Sequence, residues 1–92
     1  MAKDKVIVTV VGKDRVGIIA GVANILAKQN VNVLDISQTT MQDFFTMILI
    51  GDMSKASSGL NEIKKQLDKY GEEIGVKITI QHEDVFSFMH RI

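Results

Sequence analysis

A strand-like run near the N-terminus places the strongest constraint on the fold, because both of its faces are apolar. The run extends from Lys5 to Val11 and is β-branched almost throughout. Successive side chains of a strand point to opposite faces, so one face carries Val6, Val8 and Val10 and the other carries Ile7, Thr9 and Val11. Such a strand is expected at the centre of a sheet, covered on both sides.

After this strand, the spacing of apolar residues changes to three and four. Ile18, Val22 and Ile25 have this spacing, which predicts an amphipathic helix. The helix is predicted to end near Asn30, a residue that tolerates the left-handed backbone of a helix C-terminus. Two further strand-like runs, 33–41 and 44–50, then predict a hairpin.

The second half of the chain repeats the helix-then-strand order. Apolar residues from Leu60 to Ile74 recur at three- and four-residue steps, which predicts a second amphipathic helix ending at Gly75. Ser57 or Ser58 is placed to cap its start. Alternation from Val76 to Gln81 predicts a last strand.

This order of elements predicts the fold class. Strand, helix, strand, strand, helix, strand packs most simply as an α+β, ferredoxin-like βαββαβ sandwich, with one antiparallel sheet and both helices on one face. Residues 1–92 form one domain with a core at 5–82. Residues 83–92 predict an additional short C-terminal helix, whose apolar residues are Val85, Phe88, Met89 and Ile92. The open face of the sheet, or that of a second copy, is the expected cover for it.

Charge and composition argue against several classes of partner. The chain has 11 lysine and arginine residues and 11 aspartate and glutamate residues. It therefore has no net positive charge with which to bind the phosphates of nucleic acid. No apolar stretch approaches the roughly 20 residues that span a bilayer, so no membrane partner is expected. The absence of cysteine excludes disulfides and thiolate metal sites. We expect a cytoplasmic protein.

The turn between the first strand and the first helix, in VVGKDRVGIIAGVANIL, is the strongest candidate for a binding site. It is not a phosphate loop, because Gly17 is followed by two isoleucines rather than by lysine and a hydroxyl residue. The free amides of the helix start favour a carboxylate, and Asp14 suits an ammonium group, so an amino acid would match both. Alternatively, Asp14 is only a helix cap and Gly17 only a packing point.

No other residues predict catalysis. His82 and His90 have no zinc-ligand spacing, and no pair of nucleophile and base can be assembled, so no catalytic residue, metal or cofactor is expected. The polar stretch from Ser37 to Thr40 could line a groove, although a polar edge strand explains it equally well.

The stretch from Val8 to Ile50, VTVVGKDRVGIIAGVANILAKQNVNVLDISQTTMQDFFTMILI, resembles an ACT domain. ACT domains are small regulatory modules of amino-acid-metabolism enzymes and transcriptional regulators. The matching pieces are GKDRVGI, the helix IIAGVANILAKQ, the start of strand two at Asn32-Val33, and DISQTT. With its helical tail, the whole chain looks like the small stand-alone ACT proteins of bacteria and archaea, whose role is largely unassigned.

The resemblance implies a non-enzymatic, amino-acid-sensing homodimer that acts on an unknown partner protein. Its ligand would lie between the first loop and the start of strand two, commonly where two domains pair. The implied ligand-binding residues are Gly12, Asp14, Val16, Gly17, Ile18, Asn32, Val33 and Leu34. Val16 stands where many ligand-binding members have proline, and Gly12 where some have histidine. The alternative is a ligand-free adaptor for protein interaction or dimerisation.

Overall fold

A computed structural model of the chain describes residues 4–13 and 17–85. Six elements follow one another in these ranges, which are β1 (Lys5–Lys13), α1 (Ile18–Lys28), β2 (Asn32–Met41), β3 (Phe44–Asp52), α2 (Leu60–Ile74) and β4 (Val76–His82). The four strands form one sheet in the order β2-β3-β1-β4, and every neighbouring pair is antiparallel. The predicted α+β, ferredoxin-like class is confirmed, as is the central position of β1, and β2 lies at the edge of the sheet.

Both helices cover the same face of the sheet, and the core lies between them and the strands. Val6, Val8 and Val10 of β1 are at most 1% exposed and form the centre of this core. The helices contribute Val22, Leu26, Ile63 and Leu67, and the neighbouring strands contribute Phe45, Met47, Leu49, Ile78 and Ile80. The predicted stripes of the two helices therefore face the core.

Asn30 ends α1 as the sequence predicts. Its φ is 61°, in the left-handed region. Its backbone N–H donates to the Ala27 carbonyl at 3.0 Å, and the N–H of Val31 donates to the Leu26 carbonyl at 2.9 Å. This pair of bonds is the Schellman motif, which provides hydrogen-bond donors for the last carbonyls of the helix. The chain then continues directly into β2.

The start of α2 differs from the prediction. The residue that caps this helix is Gly59, with no side-chain capping bond, and neither Ser57 nor Ser58 takes that position. The N–H of Ser57 donates instead to the Gln29 carbonyl at 2.8 Å, which ties the loop to the end of α1. A tertiary contact thus holds the serine segment. The helix ends at Gly75, whose φ of 80° fits the predicted C-terminal glycine.

The C-terminal helix is described only at its beginning. Residues 83–85 are helical and follow β4 directly. The remainder of the predicted helix, which includes Phe88, Met89 and Ile92, lies outside the described residues. Neither α1 nor α2 has the length and apolar character needed to cross a bilayer.

Candidate functional site

A groove of about 450 Å³ lies between the start of α1 and the far end of the edge strand β2. Its lining comes from the first turn of the helix on one side and from two strands on the other. The lining residues are Gly17, Ile18, Ile19, Ala20, Gln38, Thr40 and Phe45. The groove therefore combines backbone amides, two uncharged polar side chains and an apolar base.

The helix side of this groove presents backbone N–H groups. The first bond within α1 runs from the Gly21 N–H to the Gly17 carbonyl at 2.8 Å. The N–H groups of Ile18, Ile19 and Ala20 precede that bond, so they have no acceptor within the helix. Together with the positive end of the helix dipole, such amides favour a carboxylate or another anion.

Gly17 allows close approach to these amides. Its φ is 92°, which glycine adopts without strain, and a Cβ built there would meet no atom of the described residues within 4 Å. Among the described residues, no side chain blocks the approach of a ligand to the helix start at Gly17.

Tyr70 of α2 fixes the position of this turn. Its hydroxyl donates to the Gly17 carbonyl at 3.2 Å. The ring passes over Gly21, where an added Cβ would lie 1.8 Å from the tyrosine oxygen. The sequence shows Tyr70 only as part of an apolar stripe, and no sequence signal indicates its bond to a residue 53 positions away.

Gln38 and Thr40 form the opposite side of the groove. They pair with Met47 and Phe45 of β3, whose side chains are buried against the helices, so Gln38 and Thr40 point to that same face. Both remain exposed because β2 is at the edge of the sheet. Of the two interpretations of the polar stretch 37–40, lining a groove therefore holds for Gln38 and Thr40.

The residues implied by the resemblance do not lie together in the structure. Gly17 and Ile18 line the groove. Asp14 and Val16 lie outside the described residues. Gly12 lies outside the groove, where a Cβ would come within 2.8 Å of Cγ1 of Val76.

The other implied residues lie at the opposite end of β2. Asn32, which begins the strand, is six positions from Gln38, or about 20 Å along an extended chain. Val33 is half-buried, and Leu34 is the extra residue of a bulge and is 46% exposed. Within one chain, these three residues do not reach the amides of Gly17 to Ala20.

Asn32 lines a second cavity, of about 390 Å³, between the end of α1 and the loop after β3. The N–H of Ser54 donates to Oδ1 of Asp52 at 2.9 Å. This bond, a second one from the Ser54 side chain, and the charges of Lys5 and Lys55 lower the pKa of Asp52 below its usual range. The Asn30 side chain donates to the Lys55 carbonyl at 2.8 Å, so the polar groups here hold the loop together.

The described part of the chain, residues 4–13 and 17–85, holds no group of three or more histidine, cysteine, aspartate or glutamate side chains that could bind a metal ion. What the described residues do bring together is an amide-rich helix start facing two polar side chains. That arrangement can bind a small polar molecule.

Comparison with known proteins identifies the family of this chain. A sequence model described as an ACT domain matches residues 4–81. A UPF0237 protein of Methanocaldococcus jannaschii is 51% identical over 96% of this chain and 98% of its own length. The ACT domain protein from Streptococcus pneumoniae superimposes with a TM-score of 0.79 and 36% identity, covering 92% of this chain and 96% of that one.

One more distant solved structure has the same fold. The regulatory subunit of aspartate kinase from Thermus thermophilus has a TM-score of 0.66 and 22% identity, covering 87% of this chain and 52% of that one. At this identity the likeness shows the fold alone. The match to the family model and the identity to UPF0237 proteins extend over nearly the whole chain. The chain therefore belongs to the ACT domain family, whose members are typically regulatory, ligand-binding modules.

Proposed function

We propose that this protein is a cytoplasmic, amino-acid-sensing homodimer that reports ligand occupancy to a partner protein and has no catalytic activity of its own. The observation that carries the proposal is the groove in which the amides of Ile18, Ile19 and Ala20 face Gln38 and Thr40. A ligand carboxylate would accept from the amides, and the polar side chains of β2 would bind the rest of the molecule.

The exposed edge of β2 supports the homodimer. One side of this ten-residue strand pairs with β3, and its other side is the edge of the sheet. Leu34 and Ile36 are 46% and 38% exposed, and the strand has neither lysine nor proline. Natural proteins protect exposed edges with charges, proline or bulges, and in β2 these are confined to the start of the strand, at Leu34 and Asp35. The edge from Ile36 to Met41 has none of them, which favours pairing with another strand.

Pairing through β2 would also complete the ligand site. In a symmetric antiparallel pair centred on Ile36, Asn32 of a second copy would lie beside Thr40, and Val33 of that copy beside Thr39. The start of one β2 would then adjoin the groove of the other protomer. The two halves of the implied site, about 20 Å apart along β2 in one chain, would meet across the interface.

The ligand is tested by thermal unfolding with each of the twenty amino acids and a few nucleotides. A ligand at 100 times its Kd adds about 2.7 kcal/mol to the free energy of unfolding, which raises the Tm of a domain this small by roughly 10 °C or more. We expect one amino acid, or a small related set, to raise the Tm.

Two threonines of β2 provide a matched pair of variants for this test. Thr40→Val removes a hydroxyl that lines the groove, and Thr39→Val makes the same change on the other face of the strand. The amino-acid-dependent rise in Tm is expected to be lost in Thr40→Val and kept in Thr39→Val. Equal loss in both variants would contradict the location of the site.

The homodimer has a separate test. The mass of the protein in solution is measured for the unchanged chain and for Ile36→Lys, which places a charge on the exposed edge. We expect a dimer for the first and a monomer for the second. A monomeric unchanged chain would contradict the dimer.

A ligand-free adaptor is the second candidate. Met41 and Phe44 flank the hairpin turn and are 70% and 60% exposed, which is unusual for large apolar side chains and typical of interaction sites. A dimer whose Tm responds to no amino acid would favour this candidate.

A further inference from the structure

The carbonyl of Gly17 accepts hydrogen bonds from both helices. One bond comes from the N–H of Gly21 on α1 at 2.8 Å. The other comes from the hydroxyl of Tyr70 on α2 at 3.2 Å. A carbonyl oxygen has two lone pairs, and these two donors can use both of them. The direction of this carbonyl is therefore fixed by α1 and α2 together.

The same peptide unit carries the first free amide of the groove. The peptide bond between Gly17 and Ile18 is trans. A trans peptide unit is planar, so the carbonyl of Gly17 and the N–H of Ile18 point in opposite directions within one plane. Ile18 lines the groove, and its N–H has no acceptor within the helix. Fixing the carbonyl therefore also fixes the direction of this donor.

Packing of the tyrosine ring holds the hydroxyl at this carbonyl. Tyr70 is half-buried and packs against the hydrophobic core. Its ring passes over Gly21, where the absence of a Cβ leaves room for it. A side chain that is already restricted by packing loses little further conformational entropy when it makes a hydrogen bond.

We propose that Tyr70 is a positioning residue of the groove and that it transmits ligand occupancy to α2. This inference rests on the proposed function, because it concerns the ligand that the groove binds. When a ligand carboxylate accepts from the N–H of Ile18, a continuous chain of hydrogen bonds joins the ligand, the peptide unit and the Tyr70 hydroxyl. Neighbouring bonds in such a chain polarise and strengthen one another. Binding therefore tightens the contact between α1 and α2.

The position of α2 suits it to report occupancy. Among the described residues, the groove is lined by α1, β2, β3 and Gly17, and α2 contacts it only through Tyr70. The opposite side of α2 is exposed and charged, with Lys65, Lys69, Glu72 and Glu73. A partner can therefore contact α2 while the ligand stays in the groove.

Two variants that each remove one hydroxyl test the role of Tyr70 in binding. Tyr70→Phe removes the hydroxyl and keeps the ring over Gly21. Thr79→Val is the matched control, because it removes a hydroxyl that is bonded to the Thr9 hydroxyl on the other face of the sheet. The Tm of the full chain and of both variants is titrated with each of the twenty amino acids. We expect the concentration that gives a fixed rise in Tm to increase at least about threefold in Tyr70→Phe and to stay unchanged in Thr79→Val.

A spectroscopic measurement follows Tyr70 itself. It is the only tyrosine of the chain, so labelling tyrosine with ¹³C at Cζ, the ring carbon that bears the hydroxyl, gives a single NMR signal for the protein. The amino acid that raises the Tm is expected to shift this signal, because the hydroxyl bond strengthens on binding. A side chain that only supports the fold would keep the same signal with and without the amino acid.

Hydrogen exchange tests the transmission to α2. The amino acid that raises the Tm is expected to slow the exchange of backbone amides around Tyr70, in residues 68–74, in the unchanged chain. The same amino acid at equal occupancy is expected to leave these amides unaffected in Tyr70→Phe. Equal slowing in both proteins would overturn the role of the hydroxyl in transmission.

The outcomes separate this inference from the function on which it rests. If an amino acid raises the Tm of the unchanged chain but binds Tyr70→Phe equally tightly, or leaves the Tyr70 signal in place, the role of Tyr70 is overturned and the ligand site stands. Equal loss of affinity in Thr79→Val would also overturn it, because the effect would then follow stability in general. If no amino acid raises the Tm of the unchanged chain, the proposed function is contradicted and the inference falls with it.

Discussion

Replacing Gly21 by alanine tests how α2 holds the start of α1. In an exposed helix interior this substitution stabilises a protein by up to about 1 kcal/mol, because alanine restricts the unfolded backbone. Here the added Cβ would lie 1.8 Å from the hydroxyl oxygen of Tyr70 and 2.1 Å from the ring carbon that bears it. The tyrosine ring must therefore move away from α1.

The expected cost exceeds the gain. Inserting a methyl group into a packed contact costs about 1–3 kcal/mol, and losing the bond from Tyr70 to the Gly17 carbonyl costs a further 0.5–1.5 kcal/mol or so. After subtraction of the helix propensity, Gly21→Ala should lower the free energy of unfolding by about 1–3 kcal/mol. For a domain of this size, each kcal/mol corresponds to a Tm change of about 4–8 °C.

The assay is a double-mutant cycle measured by urea unfolding. In a chain that already carries Tyr70→Ala, the clash and the hydroxyl bond are both absent, so Gly21→Ala should become neutral or stabilising by up to about 1 kcal/mol. The sign of the effect therefore reverses between the two backgrounds. If Gly21→Ala has the same effect in both, the ring does not pack over Gly21 and the reasoning about the groove's support is wrong.

Three further predictions concern the core, a backbone contact and pH. Leu49→Ala should lower the free energy of unfolding, measured in urea, by about 2–5 kcal/mol, and Ile48→Ala by less than about 1 kcal/mol. The reason is that Leu49 is fully buried against the helices, whereas Ile48 is 41% exposed on the other face, so equal costs would contradict the assignment of faces. Gly71→Ala should lower stability by about 1–3 kcal/mol even in the Tyr70→Ala chain, because its Cβ would lie 2.7 Å from the Val76 carbonyl oxygen, and a backbone atom cannot rotate away; the same unfolding assay checks this. The lowered pKa of folded Asp52 means that its carboxylate stabilises the fold above its unfolded pKa of about 3.9 and that this contribution is lost as pH falls through the lower folded value. Asp52→Asn should therefore reduce the Tm at pH 7, and the reduction should shrink as the pH is lowered below the unfolded pKa; a reduction that does not change with pH would contradict the role of the charge.

The sequence predicts the elements of this fold because each depends on local patterns. A β-branched run identifies β1, alternation identifies β4, the apolar stripe identifies α2, and Asn30 and Gly75 mark helix ends where the backbone needs a positive φ. The cap of α2 was predicted incorrectly because the Ser57 segment is held by the Gln29 carbonyl, a contact between residues far apart in the chain.

The candidate site is only partly predictable for the same reason. Gly17 and Ile18 belong to the turn that the sequence singles out, and they line the groove. Gln38 and Thr40 face them only because β2 pairs with β3 in a register that places these two side chains on the helix side. A bulge at Leu34 changes the alternation along β2, and no local pattern indicates it.

The sequence by itself determined the order of elements, the central position of β1 and the turn at which α1 begins, because hydrophobic periodicity and turn chemistry act over a few neighbouring residues. Only the tertiary structure decided that Tyr70 bonds to Gly17, that Gln38 and Thr40 face the helix start, and that Asn32 lies at the opposite end of β2. These relations depend on strand register and helix packing, which are fixed by burial of the whole core rather than by any single segment.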